Sequence, residues 1–142
     1  MLIGQFAGKV TEKNRLAVPA KFRDDFDGDL VISRGYEGCL ILLDQERWEN
    51  LIKLVSSKPL LNLSIRDTRR FLVGGAHELD LDGQGRFVLP VGLKTYAAIE
   101  TEVTFVAIMD WVEIWAQDRW EEKLEKLTES AGDIADKLMS ER

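Results

Sequence analysis

The chain contains two copies of one sequence pattern, and this duplication constrains its fold more than any other feature. The first copy includes KVTEKNRLAVPA and the second LDLDGQGRFVLP. In both, an arginine follows a short polar loop and precedes three apolar residues and a proline. These arginines, Arg15 and Arg86, are 71 positions apart, as are Pro19 and Pro90. The loops are therefore expected to be equivalent parts of two related halves.

A second pair of matching segments lies further along each copy. Trp48 occurs in LLDQERWENL and Trp120 in IWAQDRWEEK, an offset of 72 positions. The arginine loops and the tryptophan segments occur in the same order in both copies. Their offsets, 71 and 72 positions, differ by one residue, which a single insertion explains. The pattern indicates a tandem duplication whose period is longer than that of solenoid repeats.

Each copy predicts the same order of secondary structure. A short strand ends at the proline, which cannot donate to a β-ladder, and a brief helical turn follows. Two β-rich runs then predict a hairpin, with turns near residues 36–38 and 109–110. These runs are DLVISRG and CLILLD in the first copy, and EVTFVAI and WVEIWA in the second. A helix closes each copy.

The closing helices are predicted from apolar residues at helical spacing. The first helix has an apolar face with i, i+3, i+4, i+7 spacing, formed by Trp48, Leu51, Ile52 and Val55. The last helix has a heptad-like seam, formed by Trp120, Leu124, Leu127, Ala131, Ile134 and Leu138. We expect Trp48 and Trp120 to pack in the core. The seam could pack against its own core or against a neighbouring molecule.

A further helix, LSIRDTRRFLVGG, is predicted between the copies. Ser64 is its expected N-cap, and the Gly74–Gly75 pair its expected end. Its arginines, Arg66, Arg69 and Arg70, form a basic cluster that we expect to be solvated or paired with Asp67 and the acidic C-terminal tail.

Composition excludes several protein classes. No apolar run approaches the roughly 18 residues of a membrane span, and no signal peptide is recognised. Cys39 is the only cysteine, so no intrachain disulfide can form; it is expected to be a small buried side chain in a cytoplasmic protein.

Charge weighs against nucleic-acid binding without excluding it. The net charge is −6, but residues 1–75 hold 12 Lys and Arg against 10 Asp and Glu, while the remainder holds 7 against 15. Because exposed charges are screened beyond roughly 8 Å, a ligand responds mainly to the local patch.

No motif in the chain predicts catalysis or metal binding. The segment DLDGQG, which begins at Asp80, resembles the start of a calcium-binding loop, but the twelfth position is Val91 where glutamate is required. The alternation of residues 79–82 is better explained by a half-buried strand with an acidic outer face. A P-loop, a G-x-G-x-x-G segment and a His/Cys cluster are all missing, so we do not expect an enzyme.

Several stretches, DGQGRFVLP, FRDDF, RRFLVGGAHELDLDGQGR and EIWAQDRWE, resemble the MraZ family of bacterial transcriptional regulators. The similarity extends over about residues 1–125. The resemblance implies an α+β fold, a duplicated swapped-hairpin (AbrB-like) β-barrel with helices after each repeat and a C-terminal helix. The implied organisation is SpoVT/AbrB-type DNA-binding repeats at 5–47 and 76–119, connecting helices at 48–75, and the C-terminal helix at 120–142.

The resemblance also implies a function. Such a protein would bind double-stranded DNA at repeated short boxes upstream of the cell-division and cell-wall gene cluster, with repression the favoured outcome. It would form a ring-shaped homo-oligomer in the cytoplasm, associated with the nucleoid, without cofactor, metal, membrane or small-molecule substrate. The implied DNA-binding residues are Arg15, Arg86, Lys13, Asn14, Lys9 and Gln84. The implied loop-orienting residues are Thr11, Asp82, Gly83 and Gly85.

The first loop departs from the family pattern. Thr11 stands where the motif has aspartate, and Asn14 where glycine is usual. A threonine hydroxyl can cap a loop but cannot hold an arginine electrostatically as Asp82 can. We therefore hypothesise that Arg15 is less neutralised than Arg86 and favours phosphate contact.

Two alternatives remain open. The pair Asp82–Arg86 could simply stiffen its loop, and an AbrB-fold oligomeric scaffold without direct DNA contact would use the same barrel and oligomer surfaces. Trp111 and Trp115, in the second hairpin, are hypothesised to lie at an interface between protomers.

Overall fold

The computed structural model describes residues 1–56 and 61–141. Residues 57–60 and 142, included in the predicted segments 48–75 and 120–142, lie outside the described residues. The strands are β1 (Ile3–Lys9), β2 (Arg15–Ala17), β3 (Leu30–Arg34), β4 (Leu40–Asp44), β5 (His77–Leu79), β6 (Arg86–Val88), β7 (Glu102–Ile108) and β8 (Val112–Ala116). The helices are α1 (Ala20–Asp25), α2 (Gln45–Val55), α3 (Leu63–Leu72), α4 (Val91–Tyr96) and α5 (Gln117–Ser140).

The two copies exchange their first strands. An antiparallel sheet has the order β1-β7-β8-β4-β3-β5, so β1 pairs with the hairpin of the second copy and β5 with that of the first. Strands β2 and β6 form a separate antiparallel ribbon. The predicted α+β fold with swapped hairpins is confirmed. Among the described strands, the ladders form a sheet and a ribbon that share one core, instead of a single closed ring.

The strand registers show a pseudo-twofold relation between the copies. Strands β4 and β8 pair about Ile41 and Glu113, which are 72 positions apart. Strands β2 and β6 pair about Leu16 and Phe87, which are 71 positions apart. Equivalent residues therefore meet at the centre of both ladders, and each loop of one copy has a counterpart related by the same operation.

The main core lies between the ribbon and one face of the sheet. It includes Leu16 and Phe87 from the ribbon and Leu42, Phe105 and Ile114 from the sheet, all buried. Alternation along each strand sends these side chains inward and their neighbours outward. The ribbon is therefore fixed on a packed base.

Helices α2 and α5 cover the other face of the sheet. Trp48 of α2 packs against Ile41 and Leu43 of the sheet. Trp120 of α5 packs against Trp115 and Cys39. The core roles predicted for Trp48, Trp120 and Cys39 are confirmed. Burial raises the pKa of the Cys39 thiol well above its usual range.

The interface role expected for Trp115 is wrong, whereas that of Trp111, which is partly buried and lines an open groove beside α2, stays a prediction. Trp115 is buried, and its ring lies 5.5 Å from that of Trp120 on α5. Trp111 is partly buried against the cluster beneath α2. Both indoles therefore pack within the protomer, because the closing helices lie over the hairpin face that carries them.

Two local expectations at the helix and strand ends are also wrong. The N-cap of α3 is Asn62, whose side chain accepts a hydrogen bond from the Ile65 amide, and Ser64 lies inside the helix. Strand β5 ends at Leu79 instead of continuing through residue 82. Burial still alternates beyond the strand, with Leu81 partly buried and Asp80 and Asp82 exposed, but the chain has already left the ladder.

The apolar seam of α5 packs against its own core only as far as Leu127. Beyond that point the helix continues to Ser140 with exposed side chains. No helix in the described part of the chain is both long and apolar enough to cross a membrane.

Candidate nucleic-acid interface

The two arginine loops have the same backbone. In the first, the Asn14 amide donates to the Thr11 carbonyl at 2.9 Å, and the Thr11 amide donates to the Arg15 carbonyl at 2.9 Å. In the second, Gly85 donates to Asp82 at 2.9 Å, and Asp82 to Arg86 at 3.0 Å. The sequence repeat is therefore also a repeat of turn geometry.

Both loops place a left-handed residue directly before the arginine. Asn14 has a φ of 57° and Gly85 a φ of 74°. Asn tolerates this backbone better than most residues, which explains its presence at a position that glycine fills in the other copy. A Cβ on Gly85 would also lie 2.5 Å from the Arg23 guanidinium. Glycine at residue 85 thus permits both the left-handed backbone and the close approach of the Arg23 guanidinium.

Asp82 anchors the second loop through both carboxylate oxygens. Its Oδ1 accepts from the amides of Gln84 at 2.9 Å and Arg86 at 3.0 Å, and its Oδ2 accepts from Arg86 Nε at 2.8 Å. The Arg86 amide, assisted by the Gln84 amide and the guanidinium, lowers the pKa of the Asp82 carboxyl. Arg86 is therefore oriented and partly neutralised by its own loop.

Thr11 reproduces only part of this arrangement. Its Oγ1 accepts from the Arg15 amide at 3.1 Å, as Asp82 Oδ1 does from Arg86. Within residues 1–56 and 61–141, the Arg15 guanidinium makes no ion pair or side-chain hydrogen bond. The geometry therefore agrees with the starting point of the hypothesis that Arg15 is less neutralised than Arg86. The Arg86 guanidinium is held by the Asp82 carboxylate, whereas the Arg15 guanidinium has no such partner among the described residues.

The β2–β6 ribbon presents both arginines on one side. Leu16 and Phe87 point into the core, so alternation places Arg15, Arg86 and Val88 on the outer face. Arg15 lies opposite Val88 in the register, which makes the two arginines diagonal neighbours. They line one groove of about 280 Å³ together with Asp80 and Asp82. We call this outer surface of β2 and β6 the ribbon face.

Two cations that the sequence analysis missed also meet the loops, each from the opposite copy. Lys94 Nζ on α4 donates to Asn14 Oδ1 at 2.9 Å. Arg23 on α1 lies against Gly85, and its buried Nε has no hydrogen-bond partner among the described residues. Arg23 and Lys94 are 71 positions apart, so the repeat offset was a signal that could have identified them.

The remaining residues that the sequence assigned to the site are exposed. Lys13 and Gln84 are exposed in the two loops. Lys9 is exposed at the end of β1 and forms a 3.4 Å ion pair with Glu102. Gly83 is exposed with open space around it and has no left-handed backbone, so the geometry does not require glycine there.

Metal binding has no geometric support in the portion of the chain that the structure describes. No three His, Cys, Asp or Glu side chains there are arranged to hold an ion. Asp82 is engaged by Arg86 and two amides, and Asp80 lies in the groove beside the arginines. The chemistry of this surface is therefore that of paired guanidinium groups on a rigid ribbon.

A sequence model described as "MraZ protein, putative antitoxin-like" matches residues 1–71 and 72–140, one match for each copy. The chain belongs to the MraZ family. Its relatives include the transcriptional regulator MraZ of Syntrophomonas wolfei, 36% identical over 139 residues, 98% of this chain and 97% of that protein. The transcriptional regulator MraZ of Clostridium beijerinckii is 38% identical over 122 residues, 86% of each chain.

The MraZ relatives cover this chain almost from end to end. The transcriptional regulator MraZ of Pediococcus pentosaceus is 35% identical over 139 residues, again 98% of this chain and 97% of that protein. These MraZ proteins are named as regulators and not as enzymes, which agrees with the sequence-based expectation that the chain is not an enzyme.

Proposed function

We propose that this MraZ chain is a transcription regulator, with repression the favoured outcome, that binds double-stranded DNA sequence-specifically through the ribbon face. The names of its relatives support the regulatory role. The observation that carries the proposal is the placement of Arg15 and Arg86, one from each copy, on the same outer side of a two-stranded ribbon. A two-stranded β-ribbon fits the major groove of B-DNA.

The two arginines have different roles in DNA binding. Arginine binds phosphate or a guanine edge through paired N–H donors. Arg86, oriented by Asp82, reads a base edge, whereas Arg15, without a carboxylate partner among the described residues, contacts phosphate. Lys9, Lys13, Asn14 and Gln84 supply flanking contacts. Thr11, Asp82 and Gly85 orient the loops, while Gly83 leaves open space in the second loop. Arg23 and Lys94 add positive charge behind the loops.

A homo-oligomeric ring would reconcile this role with a net charge of −6. Several ribbon faces that engage repeated short boxes raise avidity by about 10²–10⁴ without extra charge on each chain. The boxes are those that the family resemblance implies, upstream of the cell-division and cell-wall gene cluster, and the protein acts in the cytoplasm at the nucleoid. The repeats at 5–47 and 76–119 bind DNA, residues 48–75 connect them, and the C-terminal segment that starts at residue 120 contains the rest of α5, which ends at Ser140.

The test is a DNA titration of the wild type and an Arg15→Ala/Arg86→Ala variant at two salt concentrations. Each bidentate contact contributes about 1–3 kcal/mol, so the double variant should bind at least about 30-fold more weakly. Affinity of the wild type should fall with salt, with a log–log slope of about −0.9 for each phosphate contacted.

A variant with Lys53→Ala and Lys126→Ala removes the same charge from α2 and α5, away from the ribbon face. It should bind like the wild type. Equal binding by the arginine variant and the wild type would reject the assignment of DNA contact to Arg15 and Arg86. An absence of DNA binding by the wild type itself would favour the scaffold alternative.

A further inference from the structure

The second half of α5 is an amphipathic helix with no partner in its own protomer. Residues 128–140 extend about 20 Å beyond Leu127, the last residue of the helix that packs on the core. Ala131, Ile134 and Leu138 share one face, and Leu138 is 67% exposed. An apolar stripe of this kind is normally buried against another surface.

A groove between α2 and α3 has complementary chemistry. Ile52, Val73 and Gly74 form its apolar part, Arg69 and Arg70 form its rim, and its volume is about 400 Å³. Val73, although apolar, is 45% exposed at the end of α3. We call these five residues the α2–α3 groove.

The rim of the groove is positive and the protruding helix is negative. Arg69 donates to Ser56 at 2.6 Å and Arg70 to Asp67 at 2.8 Å, and each guanidinium retains further N–H donors. Residues 128–141 contain four acidic side chains against one basic, namely Glu129, Asp133, Asp136 and Glu141 against Lys137.

The sequence suggested that this arginine cluster pairs with the acidic tail, but among the described residues Arg69 and Arg70 form no ion pair with that tail. Arg70 pairs with Asp67 on its own helix. Among the described residues, the one ion pair between α5 and another element joins Lys123 to Glu37, well before the protruding half of the helix. The acidic segment is therefore left to meet a basic surface on another molecule.

The described residues of each protomer contain one such helix and one such groove. The groove requires α3 beside α2, and α5, the counterpart of α2, has no following helix in the described chain. A helix-to-groove contact that the same partner does not return is heterologous, and repetition of it gives a closed ring or an open filament.

We propose that the Ala131–Ile134–Leu138 face of α5 docks in the α2–α3 groove of a second copy of the chain. The apolar stripe covers Ile52 and Val73, and the acidic helix lies beside Arg69 and Arg70. This inference rests on the homo-oligomer of the proposed function and specifies the surfaces that build it.

Three single variants of the full chain test the contact by light scattering after size-exclusion chromatography. Leu138→Glu disables the helix face, Val73→Glu disables the groove, and Ser140→Glu adds the same charge on the opposite face of α5 as a control. The first two should shift the wild-type oligomer to monomer, and the control should keep the wild-type mass. Circular dichroism checks folding, and Arg70→Glu, at an exposed side chain, replaces Val73→Glu if that variant unfolds.

Mixing the two disabled variants gives a sharper result. Leu138→Glu retains an intact groove and Val73→Glu an intact helix, so the mixture should form a 1:1 heterodimer that cannot grow further. A wild-type mass for Leu138→Glu, or two folded monomeric variants that fail to form the heterodimer, would overturn the proposal. Binding of monomeric Leu138→Glu to a single box tests the ribbon face separately, because Arg15 and Arg86 are unchanged.

Discussion

At the scale of single residues, Thr11 and Asp82 create the clearest difference between the two copies. Both side chains cap the same turn, but the Asp82 carboxylate also binds the Arg86 guanidinium at 2.8 Å. Because the backbone is the same in the two loops, the presence of a carboxylate partner for Arg86 and its absence for Arg15 come from this one side-chain difference. The two loops therefore share one turn geometry, but their arginines have different side-chain partners.

Thr11→Asp should make the first loop resemble the second. The new carboxylate would accept from the Arg15 amide and pair with its guanidinium, so we expect weaker DNA binding and a salt slope shallower by up to about 0.9. A titration across salt concentrations measures both quantities. Thr128→Asp on α5 adds the same charge elsewhere as a control, and unchanged affinity and slope for Thr11→Asp would refute the hypothesis.

Asp82→Asn should reduce stability in a pH-dependent manner. The pKa of Asp82 is lowered in the folded state, so its charged form stabilises the fold above the ordinary carboxyl pKa of about 4. That contribution disappears as pH falls through the lowered pKa. Thermal unfolding from pH 7 to about pH 2 should show the wild type more stable at neutral pH and the difference vanishing in acid. A difference that stays constant with pH would contradict this role.

At the scale of elements, the sequence predicted which segments are helices and strands better than where they end. Trp48, Leu51 and Val55 occupy the apolar face of α2 as their spacing indicated. Ser64 and Asn62, which lies two residues earlier, have similar capping chemistry, and the structure shows Asn62 as the cap. Propensity alone does not separate two such neighbours, since the cap is decided by which side chain reaches an unpaired amide.

Asn62→Ala should cost about 1 kcal/mol of unfolding free energy, because its side chain accepts from the Ile65 amide. Ser64→Ala, the matched control inside α3, should change stability by only a few tenths of a kcal/mol. Urea unfolding of the two variants compares them directly. The reverse order of effects would restore Ser64 as the cap.

At the scale of the whole molecule, duplication predicted the equivalence of the loops but not how the copies meet. The exchange of β1 and β5 follows from pairing between distant segments, which the local pattern does not encode; only the family resemblance implied swapped hairpins. For the same reason Arg23 and Lys94 were missed. Each contacts a loop of the other copy, and the side chain and the loop meet only once the β2–β6 ribbon has formed. Arg15 and Arg86 could be selected from sequence because each lies within its own repeated motif.

The most direct test of the central claim is DNA cross-linking from a photoreactive residue on the ribbon face. Val88 is 60% exposed beside the two arginines, and Tyr36, 55% exposed at the turn of the first hairpin, provides a control of matched exposure. If the ribbon face binds DNA, the probe at residue 88 should cross-link to duplex DNA containing the repeated boxes, and the probe at residue 36 should not. Cross-linking from residue 36 but not from residue 88 would place DNA on another surface and contradict the central claim.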